Sequence, residues 1–453
     1  MINSDIAPKS SLFDLDGKPE LKVAMPMSLQ HFLAMVVGNV LPALVLANAI
    51  NLPQEQSVQL VQSGMFIAAI ATFLQSFPIF RIGAKLPIIM GVSFAYIPTI
   101  LSVGVEFGIG SILGSQLIGG IVAFIVGMFI KKIRKFFPPL VSGTVIFTVG
   151  LSLYNVALNY MAGGFAATDP RYGELLYWGI SFLTLIIVLI CNMFGKGNLK
   201  LCAILVGIIV GYVVSLKAGI VSFNAIYEAS WFTLPSIMPY KLEFPLAAVL
   251  AMSVLFIVNS VQAVGEISGT TVGGMDREAT DDEISGGVKV NGVASILGSF
   301  IGALPTSTYG QNVGIVAMTK VVSLKVMRIT AIMIFVAGLV PKFAAVMTSI
   351  PQCVIGGATI SVFAQITMTG IRLIVRDEMS VRHTTIVGLG VALGMGITQI
   401  PEQGLQYFPE WFTMVFADSP VVLATTVVFI LNIILPKKTI AEEQAEREAL
   451  DKK

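Results

Sequence analysis

The feature that most constrains this chain is a succession of apolar stretches, each about the length needed to cross a bilayer. A helix rises 1.5 Å per residue, so roughly 20 apolar residues span a hydrocarbon core of ~30 Å. Fourteen such stretches can be read along the 453 residues, near 27–47, 59–77, 86–103, 110–130, 138–160, 175–194, 200–221, 245–268, 284–302, 306–320, 327–347, 352–374, 384–400 and 420–436. Only 12% of the residues are charged and 55% are hydrophobic, with a mean hydropathy of +0.86. Soluble domains carry roughly 25% charged residues, so this chain lacks the polar surface to face water on all sides. A soluble single-core protein is excluded. The net charge of +2 gives no reason to expect nucleic acid. Cys191, Cys202 and Cys353 lie within apolar stretches, without metal-site or disulfide spacing.

Basic residues test the count through their excess on cytoplasmic loops. With the N-terminus inside, sixteen Lys and Arg fall on the inner loops (Arg134 and Lys135 among them), against four outside: Arg171, Lys217, Lys241 and Lys342. The expectation is a multi-pass inner-membrane protein with both tails cytoplasmic. The first 22 residues, including Asp5 and Lys9, are polar and mixed in charge, unlike a cleaved signal sequence. The segment from Lys437 to Lys453 reads as a solvated tail. The stretches 222–244 (Trp231, Phe232) and 402–416 (Tyr407, Phe408, Trp411, Phe412) carry aromatics suited to the external interface.

Fourteen divides into seven and seven. Because seven is odd, a duplicated second half enters the membrane from the opposite side, so any repeat is inverted. The third stretch (Pro87, Gly91, Pro98) and the tenth (Pro305, Gly310, Gly314) then correspond, and both are interrupted. Matched Gly/Pro-broken segments point to a carrier's binding site, since broken helices expose backbone groups tolerated at depth only beside protein or a polar cavity. Two proline-kinked helices are the plainer alternative.

Few polar groups lie at depth. Glu266 is the one carboxyl within an apolar stretch. Low dielectric disfavours the charged form of such a group, so it can take up and release a proton, unless it simply reaches water near its helix end. His31, the one histidine in a stretch, fits either a proton relay or a bond between helices. Gln262 lies four residues before Glu266, on the same helical face. Gln311 and Asn312 supply further amides beside Gly310 and Gly314. Amides both donate and accept, which suits a neutral hydrogen-bonding ligand; glue between helices is the competing role.

The run Gln311-Asn312-Val313-Gly314-Ile315-Val316-Ala317-Met318-Thr319 resembles the signature of the nucleobase–ascorbate transporters, also called nucleobase:cation symporter-2, in its xanthine and uric acid permease-like branch. Gln30-His31, Gly91-Val92-Ser93-Phe94-Ala95, Pro138-Pro139 with Gly143, and Ile350-Pro351 with Gly356-Gly357 resemble further family positions. The resemblance implies an all-α membrane fold of two inverted seven-helix repeats, with short strands interrupting helices three and ten. It implies a core domain (23–135 and 245–349) moving elevator-like against a gate (136–222 and 350–436), an external linker at 223–244, cytoplasmic tails at 1–22 and 437–453, and a homodimer. It also implies import of a nucleobase by proton symport; sodium coupling stays open, and neither cofactor nor metal is expected. Phe94 would stack on the base, with Ser93 and Gly310 offering backbone groups beside it. Gln262 and Gln311 would read its edge, Glu266 and His31 would handle the proton, and Asn312, Asn291 and Thr319 would support the site. Two positions depart from the pattern: Gln262 stands where many members carry an acid, and Asn291 where some carry aspartate. A pyrimidine carrier of the same family is one alternative, and a sulfate- or bicarbonate-type anion carrier of the same general fold another. An anion carrier calls for cations or bare helix N-termini aimed at the anion; no Lys or Arg lies at mid-span, and the C-terminal tail is short for the cytoplasmic domain common in sulfate carriers. No nucleophile–base set or H-E-x-x-H pattern supports an enzyme.

Overall fold

In the computed structural model the described residues are 12–133, 138–164, 171–409, 412–417, 419–436 and 440–451. Asp5, Lys9, Arg134, Lys135, Trp411, Lys437 and Lys438, and the tail's last residues Lys452 and Lys453, lie outside them.

The helices of the first half are α1 (Leu21–Ala49), α2 (Gln54–Ser76), α3 (Ile97–Phe107), α4 (Ile109–Met128), α5 (Pro139–Met161), α6 (Leu175–Phe194) and α7 (Ala203–Lys217). Those of the second half are α8 (Leu246–Met275), α9 (Asp281–Ile301), α10 (Gly310–Thr319), α11 (Leu324–Gly338), α12 (Gln352–Ile374), α13 (Val381–Ile397) and α14 (Pro420–Ile434). Among the described residues, eight of them (α1, α2, α4, α5, α6, α8, α9 and α12) are long and apolar enough to cross a membrane. Their outer faces are apolar rather than polar: on α6, Phe182, Ile186, Leu189, Ile190 and Met193 are all exposed. That is the pattern of a helix whose outer solvent is hydrocarbon.

The remaining expected stretches also fall on helices, but shorter ones. The third and tenth are broken as anticipated, into β1 (Met90–Val92) before a 3-10 turn and α3, and β2 (Thr306–Thr308) before α10. The eleventh departs from expectation. Instead of one rod over 327–347, α11 and a short helix at Pro341–Thr348 meet at an angle of 78°. Pro341 supplies no N–H and disfavours the helical conformation in the residue before it, and Val340 is extended at φ −109°, ψ 92°.

Helix packing repeats when each number is advanced by seven. Contacts α2–α11 and α1–α11 recur as α9–α4 and α8–α4, and α6–α7 and α6–α12 recur as α13–α14 and α13–α5. Small residues permit the close crossings: Gly143 of α5 faces the Gly370 backbone of α12, and Gly356 faces Ala157 and Tyr160 of α5.

The two strands pair antiparallel at the centre, Met90 opposite Thr308, Gly91 opposite Ser307 and Val92 opposite Thr306. Beyond them Ser93 N–H donates to Pro305 O and Tyr309 N–H to Ile89 O, both at 3.0 Å. The ladder is therefore about 13 Å long at ~3.3 Å per residue, and a half-helix leaves each end in the opposite direction. Neighbouring side chains satisfy three of the outward N–H groups. Met90 N–H donates to Thr72 Oγ1 (3.0 Å), Thr306 N–H to Ser295 Oγ (3.2 Å) and Val92 N–H to Asn39 Oδ1 (2.7 Å). Strand backbone is tolerated at this depth where such partners are built in beside it.

Candidate functional site

The site grows from the two breaks. Gly91 has no Cβ because none fits: one would collide with the Tyr309 ring and with Asn39 Oδ1. Tyr309 lies across this gap, and its hydroxyl donates to Val92 O at 2.6 Å. That contact sets where α10 begins. No side chain caps α10, and the N–H groups of Gly310 and Gln311 donate to no described residue. Gly310 is exposed despite its depth in the fold. A helix N-terminus with free donors attracts electron-rich groups.

Glu266 of α8 stands opposite. A Cβ on Gly310 would lie 3.4 Å from Glu266 Oε1. The same oxygen accepts from Gln262 Nε2 at 3.0 Å, as the shared helical face requires. Oε2 accepts from the Thr308 hydroxyl, the last residue of β2. Glu266 makes no ion pair among the described residues; Asp16, Asp276, Asp281 and Glu283 do, and they lie in the segment before α1, in a connection or in the first turn of α9. Phe94, 7% exposed, closes the other end of the ladder and meets Phe363 of α12 edge to face, with ring centroids 5.4 Å apart. Gln262, Glu266, Thr308 and Gly310 thus gather at the start of α10, and Phe94 stands at the start of α3 at the opposite end of the ladder. This is an uncharged, hydrogen-bonding environment with one carboxyl.

The other residues singled out in the sequence take different places. Ser93 does not offer its N–H, because Pro305 O has already taken it; its hydroxyl accepts from Ala95 N–H at 3.2 Å as the cap of the 3-10 turn. Gln311 turns its amide towards Gly38 of α1, where Oε1 is buried without a partner. Asn312 is fully buried and its Nδ2 donates to His31 Nδ1 (3.0 Å) and His31 O (3.2 Å). His31 pins α1 to α10, and no bond joins it to Glu266. Asn291 faces Asn259 between α8 and α9 at 3.5 Å, one turn from Ser295. Thr319 lies at the far end of α10, where its hydroxyl donates to Ile315 O and accepts from Val321 N–H. It caps the half-helix, about 13 Å along the axis from Gly310 at 1.5 Å per residue.

Three residues at the breaks carry no chemical signal of their own in the sequence: Asn39, Thr308 and Tyr309. The pairing register brings Thr308 and Tyr309 to Glu266 and Gly91, and the packing of α1 against β1 brings Asn39; the alternation of Thr306 and Thr308 on one strand face is the nearest hint.

A sequence-family profile described as "Permease family" matches residues 22–403. The chain is 32% identical over 415 residues to the xanthine permease of Bacillus subtilis (strain 168), covering 90% of this chain and 93% of that one. It is 31% identical to the uric acid transporter UacT of Escherichia coli (strain K12), covering 90% and 85%, and 30% identical to that organism's xanthine permease XanQ, covering 94% of each. Among solved structures it is similar to the transmembrane domain of the cyanobacterial bicarbonate transporter BicA (TM-score 0.58, 13% identity, covering 90% of this chain and 97% of that one). It is also similar to SLC26A9 (TM-score 0.61, 11% identity, covering 91% and 66%). At such identities the likeness is one of fold.

Proposed function

Because the chain belongs to the xanthine/uracil permease family, and is therefore a multi-pass membrane transporter and not an enzyme, we propose that it imports a purine nucleobase of the xanthine, uric acid or guanine type by proton symport. The observation that carries this reading is the Glu266 carboxyl, held by Gln262 and Thr308 with no cation beside it and facing the open start of α10. A flat heterocycle presents N–H and C=O groups along one edge. The free N–H groups of Gly310 and Gln311 suit its carbonyls, while Gln262, Glu266 and the unpartnered Gln311 Oε1 suit its N–H groups. Phe94 offers a ring for stacking. Glu266 takes the proton with the base and gives it up on the inner side. An inorganic anion could use the open start of α10, but the Glu266 carboxyl opposite it, bonded only to neutral groups, favours a ligand that brings N–H donors.

In this proposal fourteen segments cross the inner membrane with both tails cytoplasmic. A core of 23–135 and 245–349 slides against a gate of 136–222 and 350–436, joined by the 223–244 linker, and two copies associate. The seven-step recurrence of helix contacts supports the division into repeats. Ligand binding drives the motion only through its differential affinity for the two end states.

Uptake of labelled xanthine into cells expressing the protein is the test, with unlabelled purines and pyrimidines as competitors. Uptake is expected to be blocked by excess xanthine, uric acid or guanine, spared by uracil, and abolished by a protonophore. Competition by uracil alone, or uptake that follows a sodium gradient and ignores the protonophore, would overturn the purine and proton assignments respectively.

A further inference from the structure

Residues 12–19 do not trail away from the protein. Val322 and Ser323 N–H donate to Leu12 O (3.0 and 3.1 Å), Leu324 N–H donates to Leu15 O (3.1 Å), and the Ser323 hydroxyl donates to Gly17 O (2.8 Å). Lys325 Nζ reaches Pro19 O at 2.9 Å, and Asp16 pairs with Lys85 at 3.1 Å. The strap thus binds the segment that follows α10 and the one that precedes β1. Between the strap and the first turns of α11 lies a cleft of about 440 Å³, lined by Leu15, Asp16, Gly17, Lys18, Leu324, Lys325 and Arg328.

Three cations converge on this cleft, and its one acid is already engaged by Lys85. Lys18 is exposed and makes no bond among the described residues. Arg328 donates from Nη2 to Ser76 O (3.0 Å) and lies over the Phe77 ring (5.5 Å), while its Nε–H is buried with no acceptor. Leu324 N–H is taken by Leu15 O and Val326 N–H by Ser323 O, and recognition here rests on the side-chain charges. Beside Arg328 the turn at 77–80 projects apolar side chains outwards: Phe77, Ile79 and Phe80 are all exposed, Phe80 at 94%. A basic cleft next to a projecting apolar turn has the two halves of an anionic lipid site, one for the headgroup and one for the acyl chain.

We propose that the cleft binds a phosphate group, supplied by the headgroup of an anionic phospholipid. The bound phosphate ties the strap, through Lys18, to α11, through Lys325 and Arg328, and so to the end of α2 that leads into β1. A guanidinium suits phosphate oxygens better than a point charge does, and the donors of Arg328 are not all taken by Ser76 O.

Native mass spectrometry of the full-length protein, titrated separately with phosphatidylglycerol, phosphatidylcholine and inorganic phosphate, tests this. Phosphatidylglycerol is expected to be retained and phosphatidylcholine not. The double substitution Lys18→Gln/Lys325→Gln should weaken retention about 30-fold, roughly fivefold per lysine near an anionic surface. Lys18→Gln alone, at an exposed side chain, should give about fivefold and leaves the fold intact should the double variant not. Protection from heat by millimolar phosphate, with the same dependence on Lys18, would support the anion site and assign it to a soluble phosphate instead. Equal retention of phosphatidylglycerol by the wild type and both variants, or retention by none, would overturn the proposal.

Discussion

Replacing Glu266 with glutamine is expected to abolish accumulation of the base above its external concentration while leaving binding and one-for-one exchange measurable. Glutamine keeps the length and the acceptor oxygen of the side chain, so the bonds from Gln262 and Thr308 can partly re-form. It cannot gain or lose a proton. If coupling resides in this carboxyl, the variant becomes a facilitator: labelled purine equilibrates across the membrane, and a protonophore no longer changes its level. Retained uphill accumulation would remove Glu266 from the coupling step and shift attention to other depth-placed groups. His31 would be the next candidate, although its bonds to Asn312 give it an architectural task already.

The second large effect concerns folding rather than coupling. Gly91→Ala places a methyl group where the Tyr309 ring and Asn39 Oδ1 now stand. Both neighbours are fixed by their own bonds, Tyr309 to Val92 O and Asn39 to Val92 N–H. They cannot move aside without breaking the strand pair. Overpacking of a dense core costs about 1–3 kcal/mol, and an orphaned buried backbone donor a similar amount again. The variant should therefore melt well below the wild type in detergent and lose most of its folded yield. Gly388→Ala is the control, because a Cβ there meets nothing within 4 Å and alanine is the better helix former. A Gly91→Ala protein as heat-resistant as Gly388→Ala would mean that the close approach of Tyr309 to β1 is not what holds the two breaks together.

Much of this architecture was legible in the residues, for physical reasons that also mark its limits. Length and apolarity located the helices, because crossing hydrocarbon imposes both at once. Proline and glycine located the breaks at 87–98 and 305–314, since neither residue sustains a helix. The bend at Val340 escaped notice: Pro341 starts a new short helix rather than kinking a long one, and the residues on either side remain apolar. At the site, the Gln262–Glu266 pair followed from helical periodicity alone. Thr308 and Tyr309 did not, because their importance depends on which residue of β1 each one faces, and a three-residue strand has too little pattern to fix its register. Ser93 was expected to have backbone groups available beside the ligand; its N–H is engaged, since strand pairing continues one residue past the regular ladder. Thr319 belongs to the same signature as Gln311 and Asn312 but serves the opposite end of the half-helix.

Where the base sits decides which groups can recognise it and couple it to a proton. A density map of the purified protein with bound xanthine answers this most directly. It should show a flat ligand between the Phe94 ring and the start of α10, within hydrogen-bonding distance of Gly310 N–H and of Gln262 or Glu266. A ligand resolved elsewhere, for example in the cleft of about 600 Å³ beside Gln54, Gln59 and Gln62, with the junction of the half-helices empty, would contradict it.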